Sequence, residues 1–160
     1  MTLQTRTTEL ESVNTILSTI GEAPISSLTG TLPVDAVMAL AVLNEINREV
    51  QSQAWHFNTH HKAVLSLDTN KKIPLATNTL RVELNPYKYS RADYDIVQRG
   101  NFLYNLATNS DIFTDSFTEA SIVYLLPYND IPEQAKRYIT IRDSRVFHDR
   151  TLGANTLHKF

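Results

Sequence analysis

The spacing of apolar residues changes twice along this chain, and that change constrains the fold more than any other feature. Helical spacing before Asn58 and after Asp130 flanks a region, Thr59 to Tyr128, where apolar residues alternate with a period of two. This middle region contains five predicted strands: Ala63–Leu67, Leu80–Leu84, Asp95–Gln98, Phe102–Asn105 and Ala120–Leu126. The pattern predicts an α+β fold, with a helical layer made by the N- and C-terminal helices and an inserted antiparallel β lobe.

We expect a single domain spanning residues 1–160, with its helical layer at 7–58 and 130–153 and its β lobe at 59–128. A chain of 160 residues that is 42% hydrophobic can bury one core or two small lobes that share one. No apolar run reaches the ~20 residues needed to span a bilayer, and no signal-peptide pattern is present, so we expect a soluble protein. The absence of cysteine excludes disulfides and thiolate chemistry.

The first helix has signals at both ends. Thr8 and Glu11 have the spacing of a capping box, and Gly21 supplies a C-terminal stop. Pro24 prevents continuation, so Ile25–Leu28 is expected to be extended. The predicted apolar stripe consists of Leu10, Val13, Leu17 and Ile20.

The second helix is predicted from Pro33 to about Trp55, because neither Gly nor Pro interrupts that stretch. Its main apolar stripe is Ala36, Ala39, Leu40, Leu43, Ile46, Val50 and Ala54. A second apolar face, on its first half, consists of Val34, Val37, Met38 and Ala41. A helix that is apolar all round is covered on both sides. The second cover is either another part of this chain or a second copy of it.

A third helix is predicted with Asp130 and Glu133 as caps, Pro132 in its first turn and Gly153 at its end. Its expected stripe is Ala135, Tyr138, Ile139 and Val146. Arg142 falls inside this stripe, and Arg145 and Asp149 flank it. Arg142 is satisfied either by a carboxylate of the same subunit, such as Asp149 or an acid of helix two, or by an ion pair across a subunit boundary.

The pair Gly100-Asn101 lies between two predicted strands and can occupy the positive-φ positions of a tight hairpin. We expect Ile96-Val97-Gln98 to pair with Phe102-Leu103-Tyr104. Two stretches, Asn85 to Tyr94 and Ala107 to Phe117, are predicted as longer loops. Loops of that length are often used for contact.

Three histidines, His56, His60 and His61, are the candidates for a metal site. Ligation would need a continuous helix face and a further ligand, and a helix that ends near Trp55 does not supply the face. We therefore expect neither metal nor cofactor. The acids Asp93, Asp95, Asp111, Asp115 and Glu119 supply carboxylates for glycoside hydrolysis, but their spacing singles out no pair.

Nucleic-acid recognition also lacks a strong signal. The net charge is -2, and the basic residues of the third helix are mixed with acids and point in several directions: Lys136, Arg137, Arg142, Arg145 and Arg150. With only four glycines, the chain has no phosphate-binding loop. A protein that merely surrounds DNA needs no strongly basic surface.

Four ordered blocks carry a resemblance to a known family: Glu9–Leu28, Ile46–Asn58, Gln98–Tyr104 and Leu126–Gly153. In order and spacing they resemble the tail tubular protein A family of short-tailed bacteriophages, the podoviruses. None of the blocks is a catalytic signature, so the specificity of the resemblance comes from their combination. Members of the family continue past the region of Gly153 with an acidic helical segment. This sequence stops at Phe160, so either it is a short member or that segment has been left out.

The resemblance implies a structural virion protein and not an enzyme. The family forms a dodecameric ring below the portal protein, and the tail nozzle protein, tail tubular protein B, docks on the far side. The implied protein is a head-to-tail adaptor at the head–tail junction, assembled in the host cytoplasm. Its ring continues the channel for double-stranded DNA, without sequence-specific binding, and serves genome retention and ejection.

In a closed ring, each subunit applies one face to a different face of its neighbour. The expected subunit interface is Val34, Val37, Met38, Ala41, Arg142 and Arg145. Two alternatives stay open: a polysaccharide-degrading tail hydrolase, or a different connector such as a stopper or tail-completion protein.

Overall fold

Three helices flank five antiparallel strands, which confirms the predicted α+β class. The structure is a computed structural model that describes residues 4–153. The elements are α1 (Glu9–Ser18), α2 (Val34–Gln51), β1 (Thr59–Leu65), β2 (Thr79–Glu83), β3 (Ile96–Arg99), β4 (Phe102–Asn105), β5 (Phe117–Tyr124) and α3 (Glu133–Leu152). The chain divides into two compact units. We call residues 51–126 the β unit, and the flanking parts, described over residues 4–50 and 127–153, the helical unit.

Both predicted end signals of α1 are confirmed. The Thr8 side chain accepts a hydrogen bond from the Glu11 backbone N–H, and the Glu11 carboxylate accepts one from the Thr8 N–H. At the other end, Gly21 has φ +79°. Its N–H donates to the Ser18 carbonyl while the Glu22 N–H donates to the Leu17 carbonyl, the two bonds of a Schellman motif.

The segment after Pro24, Ile25–Leu28, was predicted to be extended, and it belongs to no helix and no strand. Asn14 of α1 holds the start of this segment: its amide nitrogen donates to the Ile25 carbonyl at 3.0 Å, and its oxygen accepts from the Ile25 N–H at 2.8 Å. A side chain therefore satisfies the backbone groups that a strand partner would otherwise pair.

The prediction that helix two continues to Trp55 is wrong, since α2 ends at Gln51. Ala54 takes a left-handed conformation with φ 62°, and a short 3₁₀ turn follows at His56–Asn58. Ala54 is a good helix former, so intrinsic propensity does not explain the stop. The hydrogen bonds that Gln51 forms with Asn58 and Leu126 in the β unit outweigh the helix propensity of Ala54.

The β unit contains a three-stranded sheet in the order β1-β5-β2 and a two-stranded sheet of β3 and β4. β1 begins four residues before the predicted Ala63, and β5 extends from Phe117 to Tyr124 instead of Ala120–Leu126. The reason is irregular pairing. The β1–β5 register shifts on both sides of Ala63, and Lys62 and Glu119 have φ values of 58° and 62°. Such bulges interrupt the alternation on which strand prediction depends.

The predicted hairpin is confirmed, with Arg99 paired to Phe102 around Gly100-Asn101. Only Gly100 has positive φ, at +60°, so the expectation of a second positive-φ residue at Asn101 is wrong. A glycine at the first central position is typical of a type II′ turn, which matches the twist of the strands.

Aromatic rings fill the core of the β unit. Phe117 is buried, and its ring meets those of Tyr89, Tyr94 and Phe113 edge-on, with centroid distances of 5.1, 5.0 and 5.6 Å. The predicted loop Asn85–Tyr94 therefore contributes two tyrosines to the core. Tyr87, in the same loop, is fully exposed.

In α3 the predicted end at Gly153 is confirmed by its left-handed φ of 65°, but the predicted caps are wrong. Pro132 is the N-cap residue, and no side chain caps the helix. The Glu133 carboxylate instead accepts hydrogen bonds from the backbone N–H and the hydroxyl of Thr7. These bonds hold the pKa of Glu133 below its usual value. The segment before α1 is thereby attached to the start of α3.

The buried face of α3 also differs from the predicted stripe. Of the four predicted residues only Ile139 is fully buried, and Tyr138 is half exposed. The buried residues are Lys136, Ile139, Thr140, Asp143 and Phe147. Polar side chains occupy three of these five positions, so apolar spacing alone points to the wrong face.

A polar cluster lies inside the helical unit. The hydroxyls of Ser12, Tyr128 and Thr140 lie within 3.1 Å of one another. Burial raises the pKa of Tyr128, partly offset by its hydrogen bonds to the two other hydroxyls. The buried Lys136 ammonium donates to the Thr7 carbonyl at 2.8 Å. Buried polar groups with partners in this way can specify a core without destabilising it.

Candidate interaction surface

The second apolar face of α2 is open to solvent in the described structure. Val34, Val37 and Met38 are exposed by 73%, 52% and 42%, and Ala41 is exposed as well. Residues of the opposite face, such as Ala36, Ala39 and Leu43, are completely buried. Within residues 4–153, then, no other part of the chain buries this face.

The C-terminal half of the same α2 face is occupied by ion pairs with α3. Arg150 binds Glu45 in a bidentate arrangement, with Nη1–Oε2 and Nη2–Oε1 distances of 2.7 and 2.9 Å. This pair holds the pKa of Glu45 below its usual value. Arg142 donates to the Glu49 carboxylate. Arg142 is thus paired with an acid of the second helix in the same chain, one of the two arrangements that the sequence left open.

Arg145 lies three residues after Arg142, away from the buried face of α3, and is exposed. Among the described residues it forms no ion pair with any acid. Tyr138, Ile141 and Leu152, exposed by 48%, 41% and 58%, lie on the same side. Sequence reasoning assigned Tyr138 to the core and missed Ile141 and Leu152. Their spacing from Tyr138, three and fourteen residues, is the signal that could have indicated an exposed stripe.

Sequence reasoning also missed Asp143, which is completely buried in the helical unit. Neither carboxylate oxygen has a hydrogen-bond partner among the described residues. Burial raises the pKa of Asp143 to about 7. The charge of Arg150 acts to lower this pKa, and the charge of Glu45 acts to raise it. Because burial disfavours the charged form, this carboxyl takes up a proton near neutrality.

The three histidines have separate environments. His56 lies in the 3₁₀ turn, the His60 ring packs edge-on against Tyr124, and His61 Nδ1 is 3.0 Å from the Ser121 hydroxyl. Over residues 4–153 no group of three or more His, Cys, Asp or Glu side chains could hold a metal ion.

Four of the five candidate hydrolase acids, Asp95, Asp111, Asp115 and Glu119, form side-chain ion pairs or hydrogen bonds. Asp111 contacts Lys72 at 2.6 Å, Asp95 contacts Arg91 at 3.2 Å, and Glu119 accepts from Asn85. The hydrogen bond from Lys72 lowers the pKa of Asp111, whereas a general acid needs a raised pKa. A groove of about 550 Å³ runs between β2 and β3, and the carboxylates that line it, Glu83 and Asp95, are both ion-paired to arginines.

No helix within the described part of the chain combines the length and apolar character needed to cross a membrane. The helices α2 and α3 carry exposed apolar residues, and exposed apolar patches are typical of a surface that binds another protein.

Comparison with known proteins gives a family. No curated protein matches the chain. A family model described as "Tail tubular protein" matches residues 10–160, which is nearly the whole chain. This match agrees with the four sequence blocks and their order. The chain belongs to the tail tubular protein family of phages, and its role is that of a structural component of the virion tail.

Proposed function

We propose that this protein is a head-to-tail adaptor, whose copies form a closed ring between the portal protein and the tail nozzle protein. The observation that carries the proposal is the exposed apolar face of α2, with Val34 and Val37 more than half exposed. A structural tail protein with such a face has a reason to self-associate, because burying apolar surface stabilises association.

The proposed subunit contact contains Val34, Val37, Met38 and Ala41 on one side and Arg145 on the other. Arg142 stays in its intrachain pair with Glu49, so that it fixes α3 against α2 at the edge of the contact. A ring needs two different faces on each subunit, and α2 and α3 supply them. Twelve copies are the number that the family resemblance implies.

The ring would continue the DNA channel from the portal to the nozzle. The net charge of -2 supports a wall that lets DNA slide, since tight binding requires clustered cations that neutralise phosphates. Ion pairs with Glu45 and Glu49 already occupy Arg150 and Arg142. Retention of the packaged genome and transmission of opening during ejection follow from this position in the tail.

Electron microscopy of the purified protein mixed with portal and nozzle proteins tests the proposal. If the protein is an adaptor, the images should show a ring that bridges the portal and nozzle proteins. A ring that binds neither partner would favour a different connector. Release of new reducing ends from capsular or cell-wall polysaccharide by a monomer would favour a hydrolase.

A further inference from the structure

Asp143 carries a carboxyl group that is completely buried in the helical unit. Its side chain is 0% exposed, and both of its oxygens lack a hydrogen-bond partner among the described residues. A charged carboxylate in such a place is costly, because burial removes its water and no donor replaces it. The group can be satisfied in two ways, either by taking up a proton or by approaching a cation.

Arg150 is the cation that can reach Asp143. Asp143, Phe147 and Arg150 are separated by four and three positions, so they follow one another along the same face of α3. Helical side chains lean towards the N-terminus of their helix, which directs the stem of Arg150 towards the buried carboxyl. Burial raises the pKa of Asp143, and the charge of Arg150 acts against this rise.

In this structure Arg150 is engaged by Glu45 of α2. Its two Nη atoms donate to the two oxygens of the Glu45 carboxylate, at 2.7 and 2.9 Å. The pair is half open to solvent, since the side chains of Arg150 and Glu45 are exposed by 50% and 51%. Solvent screens an ion pair of this kind, so that a competing carboxylate can displace Glu45.

The other groups that face Asp143 offer it no positive charge. The buried residues of α1 are uncharged: Ser12, Val13, Ile16 and Leu17. The Tyr128 hydroxyl, from the segment before α3, already bonds with the hydroxyls of Ser12 and Thr140. Glu45 of α2 carries a negative charge, which opposes ionisation of Asp143. Among these described neighbours, Arg150 is therefore the group that can compensate a charged Asp143.

We propose that Asp143 is a proton-operated switch for the contact between α2 and α3. With Asp143 protonated, Arg150 binds Glu45 and ties the end of α3 to α2. Loss of the proton creates a buried negative charge, which draws the Arg150 guanidinium away from Glu45 and loosens that tie. Because the pKa of Asp143 in the folded protein is about 7, the switch operates near neutral pH. Both states lie within one chain, so this inference does not depend on the ring proposed above.

A double-mutant cycle at two pH values tests the switch. The native protein, Glu45→Gln, Arg150→Gln and the double variant are unfolded with urea at about pH 5.5 and about pH 8.5, on either side of the Asp143 pKa. At the lower pH we expect a coupling of about two- to fivefold in the unfolding equilibrium constant, as for other exposed ion pairs. At the higher pH the coupling should nearly vanish. With Asp143→Asn in all four proteins, it should be the same at both pH values.

The Glu49–Arg142 pair is the matched control, because Arg142 adjoins Asp143 in sequence but lies outside the buried face of α3. Its coupling should not change between the two pH values. A Glu45–Arg150 coupling that stays constant in the native background, or that falls equally with Asp143→Asn, would overturn the switch. An equal fall for the control pair would overturn it as well, since the effect of pH would then be general.

Nuclear magnetic resonance of the native protein needs no substitution, so it covers the case in which Asp143→Asn fails to fold. The Nε–Hε signal of Arg150 should move with a midpoint near pH 7, whereas that of Arg142 should stay in place. An Arg150 signal that does not move across this interval would contradict the proposal.

Discussion

Gln51 and Leu126 are the first and last residues of the β unit, and two hydrogen bonds join them. The Gln51 amide nitrogen donates to the Leu126 carbonyl at 2.9 Å, and its oxygen accepts from the Leu126 N–H at 2.8 Å. Asn58 reinforces the arrangement by donating to the carbonyls of Gln51 and Tyr124, at 2.8 and 2.9 Å. The points where the chain enters and leaves the β unit are therefore fixed by one buried amide.

Gln51→Ala should destabilise the protein by about 1–3 kcal/mol, because the part-buried backbone N–H and carbonyl of Leu126 both lose their hydrogen-bond partner. Chemical denaturation measures the change in unfolding free energy. Gln53→Ala is the matched control, since Gln53 is exposed two residues further on and should change little. Equal effects of the two substitutions would show that the Gln51 amide contributes no specific stability.

Asp143→Asn should remove a pH dependence of stability. The pKa of Asp143 is about 7 in the folded protein against an ordinary value of 3.8, so folding takes up a proton between these values. Stability from this group is fully present below about pH 4, falls as the pH rises towards 7, and is level above that. The difference corresponds to roughly 4 kcal/mol at most.

Urea denaturation of both proteins at several pH values between about 4 and 8 measures this effect. The native protein should lose stability across the interval, and the asparagine variant should lose distinctly less. Parallel curves for the two proteins would contradict a protonated, buried Asp143.

The Glu45–Arg150 pair predicts a titration of the opposite sign. Because Arg150 lowers the pKa of Glu45, this pair stabilises the fold above the ordinary glutamate pKa, and its contribution is lost as the pH falls through the lowered value. A double-mutant cycle with Glu45→Gln and Arg150→Gln should give a small favourable coupling that weakens as salt is added. A coupling that is unchanged in high salt would show that the charges are not its source.

Val37→Asp should prevent ring assembly without unfolding the subunit. Val37 is exposed, so an aspartate there leaves the core intact, whereas in the proposed contact it would be buried as an unpaired charge. Val64→Asp, also at an exposed valine, should leave both assembly and melting temperature nearly unchanged. Rings that form normally from Val37→Asp protein would place the subunit contact elsewhere.

Local signals predicted those parts of the fold that local chemistry determines. The Thr8–Glu11 capping box, the stop at Gly21 and the Gly100-Asn101 hairpin each lie within a few residues of sequence, and the structure contains all three. The switch of hydrophobic period likewise gave the α+β class. These features depend on backbone groups and turn residues that are close in the chain.

Contacts between distant residues account for the errors. Gln51 ends α2 through a partner 75 residues away, and Glu133 binds Thr7 across 126 residues instead of capping its own helix. Buried Lys136 and Asp143 replace apolar residues on the inner face of α3, so apolar spacing placed Tyr138 inside. In β1 the left-handed conformation of Lys62 interrupts the alternation of the strand, so the residues before Ala63 were not predicted as part of it.

The candidate surface was only half predictable. The apolar α2 face was visible as spacing in the sequence, but whether another part of the chain covers it depends on the packing of α2. The exposed side of α3 was not predicted, because it mixes the apolar Tyr138 and Ile141 with Arg145. Such a mixture is typical of any amphipathic helix, and only the burial of each residue shows which side faces inward. The ion pairs of Arg142 and Arg150 with α2 depend on that packing as well, so they could not be predicted from the sequence alone.

Cryo-electron microscopy of intact virions tests the central claim most directly. The account predicts a closed ring of this chain at the head–tail junction, between portal and nozzle, around a channel wide enough for duplex DNA. In that ring Val34 and Val37 should be buried against the neighbouring copy. A map in which the protein lies elsewhere in the tail, or in which its α2 face remains in solvent inside the ring, would contradict it.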